Sequence, residues 1–403
     1  MSDQGNFVSE WFGHRVYPGV SRHGAALMDQ EAHRCPFLTT ATREERLCIK
    51  PPAALGVCTI SSSSNGQRQD WLVCPYRAVE ISLVTDVVEH LFGPSGNDRI
   101  IIPAPLLAHE QVRTRILATT SAGGSAIIFL QDKLGGEISI PRTDRSPELS
   151  FDITLVELRE QASGPDVTSY GILEVQTMDF HGSYRSAVQN LQDALRLHRG
   201  EFPDALQANQ QWLGERIEGP NIANVFKRTF YQVMLKFQIG SLDSCAGCVL
   251  ALPQSVWDSW QRHLGAPELV ARGDGHFELN RPGPVNGTSP PAWIYVFDLD
   301  STSQLTPNPI VIRQRIATDA DSIAYFALKV APSLAVAQGG SGDRVPVRIR
   351  QRLARWWPEL WGLLPPPASA SLSWRSPPCA TVILVCSLDP LCHEVFAACV
   401  PRL

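Results

Sequence analysis

The stretch Leu134–Tyr184, LGGEISIPRTDRSPELSFDITLVELREQASGPDVTSYGILEVQTMDFHGSY, decides how the chain is read. It holds two strand-like segments, Leu149–Glu157 and Tyr170–Phe180, and each carries acids among residues that favour extended backbone. Asp152 lies inside the first. Glu174 and Gln176 lie in the second, two residues apart, so an extended backbone puts both on one face. That face would carry a carboxylate and an amide where a core face carries apolar groups. Two carboxylates on neighbouring strands can hold a divalent cation, and Mg²⁺ needs only a few carboxylates because it keeps several waters. Such an ion polarises a phosphoryl oxygen and lowers the pKa of a bound water. A third group beside Glu174 would orient the attacking water or bond the transition-state oxygen.

Working outward, the 403 residues are enough for two or three domains, and 44% apolar residues allow a sizeable core. Charged residues are sparse at 19%, prolines number 31, and the formal net charge is −5. That is not the footprint of a generally basic nucleic-acid binder, although a local basic cleft is compatible with it. The N-terminus, MSDQGNFVSEWFGHRVYPG, has no apolar run of the secretory kind, and no window reads as a membrane span. A soluble intracellular chain is expected. Its ten cysteines then argue for thiols or metal ligands over disulfides.

Residues 1–80 are irregular and hold Cys35, Cys48, Cys58 and Cys74. A poorly periodic segment with four thiols is a candidate metal-stapled module. Its spacings of x12, x9 and x15 are not the tight CxxC pairs of common zinc modules, so four scattered buried thiols are an equal reading. Helical patterns follow in RAVEISLVTDVVEHLF and LLAHEQVRTRILATT, and SAIIFLQDKLGG reads as either a buried helix or a strand. Past the central stretch come a helix capped by Ser183, a second capped by Asn221, a strand CVLALPQ, a helix VWDSWQRHL and a strand AWIYVFDLD. This alternation predicts an α/β or α+β sheet domain. From residue 344 a basic aromatic amphipathic helix precedes a Pro-rich linker and a tail with Cys379, Cys386, Cys392 and Cys399. Cys245 and Cys248 form a CxxC without a nearby partner pair and read as buried thiols. His181, beside Asp179, reads as a hydrogen-bonding residue at a strand-to-helix turn, with a general-base role as the alternative.

An Asp followed by a strand, a turn and an acid-x-Lys tripeptide is the pattern of the PD-(D/E)xK nucleases; here Gln176 stands where Lys is usual. The runs LGGEISI, RSPELSFDITLVEL, YGILEVQTMDFHGSY, EGPNIANVFKRTFYQ, WFGHRVYP, CPFLT, DWLVCPYRA and PQSVWDSWQRHL resemble, in the same order, restriction endonucleases of the NotI family. The resemblance spans roughly residues 6–300 and fades after 363, where the tail departs from the family. It implies a PD-(D/E)xK mixed sheet flanked by helices, with an N-terminal four-cysteine metal module. The implied catalytic set is Asp152, Glu174 and Gln176, with Mg²⁺ held by Asp152 and Glu174 and with Glu137 as either a group supporting those ligands from behind or a second metal ligand. Cys35, Cys48, Cys58 and Cys74 match the family's structural metal site; its metal is iron, and four thiolates suit iron or zinc alike.

The same resemblance implies a cytoplasmic bacterial enzyme. It would act as a homodimer on double-stranded DNA at a GC-rich palindrome, with a cognate DNA methyltransferase as its functional partner and no membrane partner. Two-fold protein symmetry matches palindromic DNA. Guanines favour bidentate Arg or Lys, and Arg142, Arg145, Lys227 and Arg228 are the candidates, with phosphate contact or a solvated face as the alternatives. The expected organisation is residues 1–80 as metal module, 81–330 as nuclease core and 331–403 as helical appendage with divergent tail. The rival functions are a non-cleaving DNA-binding protein with a nuclease fold and a repair or structure-specific metal-dependent nuclease.

Overall fold

A computed structural model describes residues 5–357 apart from 65–66, 95–97, 274, 283–291, 301 and 339–340. The Pro-rich linker and the tail cysteines Cys379, Cys386, Cys392 and Cys399 lie outside the described residues. The chain opens with β1 (Phe7–Trp11), β2 (His14–Arg15), α1 (Gly24–Glu31), α2 (Pro36–Thr42), β3 (Val57–Ser64) and β4 (Gln67–Leu72). Next come α3 (Ile81–Phe92), β5 (Arg99–Pro103), α4 (Glu110–Ser121), β6 (Ser125–Gln131), β7 (Ile138–Ile140), β8 (Leu149–Phe151), β9 (Ile153–Gln161) and β10 (Gly164–Val175). They lead into β11 (Phe180–Gly182), α5 (Arg185–Leu197), α6 (Phe202–Ala208), β12 (Ile217–Pro220), α7 (Ile222–Ile239), β13 (Cys245–Pro253) and α8 (Gln254–His263). The remainder is β14 (Val270–Ala271), β15 (Phe277–Glu278), β16 (Ala292–Leu299), β17 (Ile310–Thr318), α9 (Ala320–Tyr325), α10 (Ala331–Gln338) and α11 (Ser341–Ala354).

A nine-stranded mixed sheet, ordered β14-β15-β17-β16-β13-β10-β9-β6-β5, is the centre of the molecule. β10 lies in its middle, antiparallel to β9 and parallel to β13. Both faces of β10 are covered, which explains the continuous apolar run around Glu174. Leu173 and Val175 pack with Val84, Val87 and Val88 of α3 on one face. Ile172 packs with Val225, Val233 and Phe237 of α7 and with Trp257 and Trp260 of α8 on the other. SAIIFLQ resolves as strand β6, because Ile127 and Phe129 face the α3 layer while Ala126 and Ile128 face α4.

Four expectations shift. The strand expected over Leu149–Glu157 is split: β8 ends at Phe151, β9 starts at Ile153, and Asp152 falls between them. The strand expected over Tyr170–Phe180 begins earlier, at Gly164, and stops at Val175, so Gln176 lies one residue beyond it. Helix α5 starts at Arg185 with Tyr184 at its cap position, although the Ser183 hydroxyl does accept the Arg185 N–H at 3.2 Å. Finally, the helical run Ala320–Ala337 is long and apolar enough to cross a membrane by length and composition, against the expectation that no such window exists. One run of this kind is weak evidence for a span.

The described residues fall into two units, one reaching Gln338 and one beginning at Ser341. Cys35, Phe37, Leu38, Cys58, Leu72 and Cys74 share an apolar cluster with Leu155, Leu173 and Val249 of the sheet, so the cysteine segment is packed into the same core. Arg77, fully buried, ties that segment to its surroundings through Glu10, Glu80 and the Asn308 carbonyl. In the second unit α11 is the expected basic helix. It carries Pro346 inside it and ends at Ala354, before the exposed Trp356 and Trp357.

Candidate active site

The antiparallel register of β9 and β10 closes at the pair Leu173↔Ile153. One step further, Glu174 stands opposite Asp152, and side chains replace the backbone ladder. The Asp152 N–H donates to Glu174 Oε1 at 3.0 Å, and the Val175 N–H donates to Asp152 Oδ2 at 3.0 Å. Each carboxylate therefore satisfies a backbone donor that the end of pairing would leave orphaned, and each is held by the other's strand. β7 and β8 pair up to Ile138↔Phe151, so Glu137, the residue before Ile138, also arrives opposite Asp152. Gly135 and Gly136, both at positive φ, make the turn that brings it there. Burial and then the charge of Asp152 push the Glu137 carboxyl above its ordinary range.

The structure thus brings Asp152, Glu174 and Glu137 together. It also confirms the shared face of Glu174 and Gln176, because both side chains meet α7. The Thr229 hydroxyl lies within hydrogen-bond reach of both Gln176 Oε1 and the Val225 carbonyl, with one proton to donate between them, while Gln176 Nε2 donates to the Thr177 carbonyl. The Gln176 N–H continues the ladder onto β13 through the Ala251 carbonyl at 2.9 Å. Glu174 is 6% exposed, and its Oε2 is ion-paired with the ammonium of Lys236, which is 2% exposed.

Lys236 and Thr229 were not among the residues expected from sequence. A signal for them existed: the buried stripe of α7 runs Val225, Thr229, Val233, Lys236, Phe237, and two polar residues interrupt an apolar helical period. What the sequence did not carry was which strand that stripe would meet.

The electrostatics show a shortage of positive charge. Burial, and then the charge of Asp152, push the Glu174 carboxyl up to about 8 even though Lys236 pulls it down. Three carboxyl groups share one ammonium, so the site is short of positive charge, which a divalent cation would supply. No group of three or more His, Cys, Asp and Glu among the described residues is arranged to hold a metal by itself. Mg²⁺ does not require such a group, since one or two carboxylates with waters suffice. Asp152 Oδ1 has no protein partner among the described residues, and Asp152 is half-buried, so it can serve as such a ligand.

Cys35, Cys48, Cys58 and Cys74 line one small cavity of about 10 Å³, together with Lys50 and Tyr76. Cys35, Cys58 and Cys74 are buried, and Cys48 is half-buried. A hydrogen bond from Cys58 and the charge of Lys50 bring the Cys74 thiol down to about 6 despite burial, whereas Cys58 is raised. The donor chemistry fits a thiolate metal, iron or zinc. The four thiols face this one cavity, and among the described residues no three of them stand as a ready metal-holding group.

The DNA-binding candidates separate. Arg142 and Arg145 are exposed on the turn between β7 and β8, within ten residues of both Glu137 and Asp152. Lys227 is exposed on α7, and Arg228 is engaged with Asp179. His181 is exposed on β11. Cys248 is fully buried on β13 as expected, whereas Cys245, at the start of that strand, is only half-buried. No protein-family model matches the chain, and no curated protein matches it either.

Proposed function

We propose that the chain is a Mg²⁺-dependent deoxyribonuclease of the PD-(D/E)xK kind, acting as a type II restriction endonuclease of the NotI family on a GC-rich palindrome. The carrying observation is the meeting of Asp152, Glu174 and Glu137, with one ammonium among them, at the end of two central strands. Bound Mg²⁺ would supply Lewis-acid polarisation of the phosphoryl oxygen and a water of lowered pKa. Asp152 and Glu174 are the residues that would hold it, with Glu137 as a third carboxylate. Gln176 positions the attacking water or a phosphate oxygen; its amide is aimed by Thr229 and by the Thr177 carbonyl.

Arg142 and Arg145 on the exposed turn, and Lys227 on α7, are the candidate contacts to duplex DNA, and the two-fold site implies a homodimer. The cysteine segment is read as a structural iron or zinc site. It bears on the active site directly: the Leu72 carbonyl, two residues before Cys74, accepts the Met178 N–H, two residues after Gln176, at 2.7 Å.

The test is incubation of unmethylated plasmid DNA with the wild-type protein and with Glu174→Ala, with and without Mg²⁺. Cleavage by the wild type alone, and only with the ion, is the expected result. Tight DNA binding by both without cleavage by either would make the protein a non-cleaving binder.

A further inference from the structure

Lys236 is an expensive way to hold α7 on the sheet. Its neighbours on the same buried stripe, Val225, Val233 and Phe237, do that with apolar side chains. A buried ion pair is seldom better for stability than an apolar pair of similar size. The ammonium is nevertheless buried against Glu174, while Thr229, two helical turns earlier on the same stripe, meets Gln176. Helix α7 therefore addresses both functional positions of the Glu-x-Gln tripeptide. The third position of that tripeptide offers an amide where phosphodiester hydrolysis needs positive charge.

We propose that Lys236, carried on α7, is a catalytic residue that supplies the positive charge missing from the Glu174-Val175-Gln176 strand, with its ammonium passing from Glu174 to the scissile phosphate when a divalent cation and DNA occupy the site. This rests on the nuclease reading above. The ion pair is the resting arrangement, in which Lys236 Nζ holds the oxygen of Glu174 that a cation needs. In the working arrangement the ammonium lies over the developing charge of the phosphate. In the hydrolysis itself the oxygen of water bonds to phosphorus and one phosphorus–oxygen ester bond breaks. The departing deoxyribose oxygen ends with the proton that water gives up. Lys236 exchanges no proton in this balance and acts by charge alone, in a buried site where electrostatic interactions are stronger than in water. The Lys236 stem fits this movement: the lysine side chain has four rotatable carbons and a compact charged end.

The test compares wild type, Lys236→Met, Lys236→Arg and Glu174→Ala in two measurements, with circular dichroism confirming that each variant folds. The first is single-turnover cleavage of plasmid DNA with Mg²⁺, beside DNA affinity in Ca²⁺. The second, which needs no turnover, is Tb³⁺ luminescence as a probe of the cation site. Lys236→Met is expected to cleave at least about 100-fold more slowly with DNA affinity nearly unchanged, and Lys236→Arg to recover about tenfold of that loss. Tb³⁺ is expected to bind Lys236→Met at least as tightly as wild type, because the competing ammonium is gone, and to lose affinity in Glu174→Ala. Unchanged cleavage by Lys236→Met overturns the proposal. So does a loss of Tb³⁺ affinity in Lys236→Met equal to that in Glu174→Ala, because Lys236 would then only hold the carboxylate. A wild type that cleaves no DNA overturns the nuclease reading itself, and it does so before any variant is compared.

Discussion

Asp152 and Glu174 face each other at the step where β9 and β10 stop exchanging backbone hydrogen bonds, and each accepts an N–H from the other's strand. Glu174 is further tied to Lys236, so removing its charge leaves a buried ammonium alone. Glu174→Gln is expected to abolish cleavage and to lower stability by about 3–5 kcal/mol in denaturant unfolding, while the double variant with Lys236→Met recovers most of that loss. Additive losses in the double variant would show that the two side chains are not coupled. At Gln176 the hydroxyl of Thr229 fixes the amide. Thr229→Val keeps the shape and deletes that bond. A stability loss of about 1–2 kcal/mol and a clear fall in cleavage rate are expected, the first read by thermal unfolding and the second by single-turnover kinetics. Asp152, Glu174 and Gln176 were legible in the sequence as acids and an amide at strand spacing. Lys236 was not, because it lies 62 residues from Glu174 and only the packing of α7 on β10 joins them.

Helix α7 and strand β10 act as a pair of supports. β10 is buried on both faces, and its polar Glu174 comes two residues after Ile172, which packs with Val225, Val233 and Phe237. Phe237, 1% exposed, follows Lys236 directly and anchors the end of α7 that carries it. Phe237→Ala is expected to cost about 3–5 kcal/mol and to slow cleavage beyond what the stability loss explains at low temperature. An intact cleavage rate in the folded variant would show that α7 need not be held this closely. The helical period of α3, α4, α7 and α8 was legible in the sequence, since each has an apolar stripe facing one sheet layer. The ends of β8, β9 and β10 were not. The break at Asp152 comes from a side chain taking over a ladder bond, and no local propensity marks that. SAIIFLQ was ambiguous for a different reason: a strand covered on both faces shows no alternation.

In the molecule as a whole the cysteine segment and the sheet share one core, and the contact between Leu72 and Met178 puts the thiol cavity within a few residues of the site. Loss of the expected iron or zinc should therefore be felt at the strand exit. Cys58→Ser is expected to bind less than one metal ion per chain by elemental analysis and to lower both thermal stability and cleavage rate. A variant with full metal content and unchanged melting would show that Cys58 is an ordinary core thiol. Residues 1–80 looked separate in the sequence because their own periodicity is poor; the apolar partners they lack locally come from Leu155, Leu173 and Val249 far along the chain.

On the proposed reading, the Asp152–Glu174 site cuts duplex DNA at one defined sequence. Sequencing the ends left after digestion of unmethylated plasmid DNA with Mg²⁺ measures this directly. The expected result is a small set of fragments whose ends fall at a fixed position within a single GC-rich palindrome, cut on both strands. Ends scattered along the plasmid, or digestion that starts only from existing ends, would contradict it.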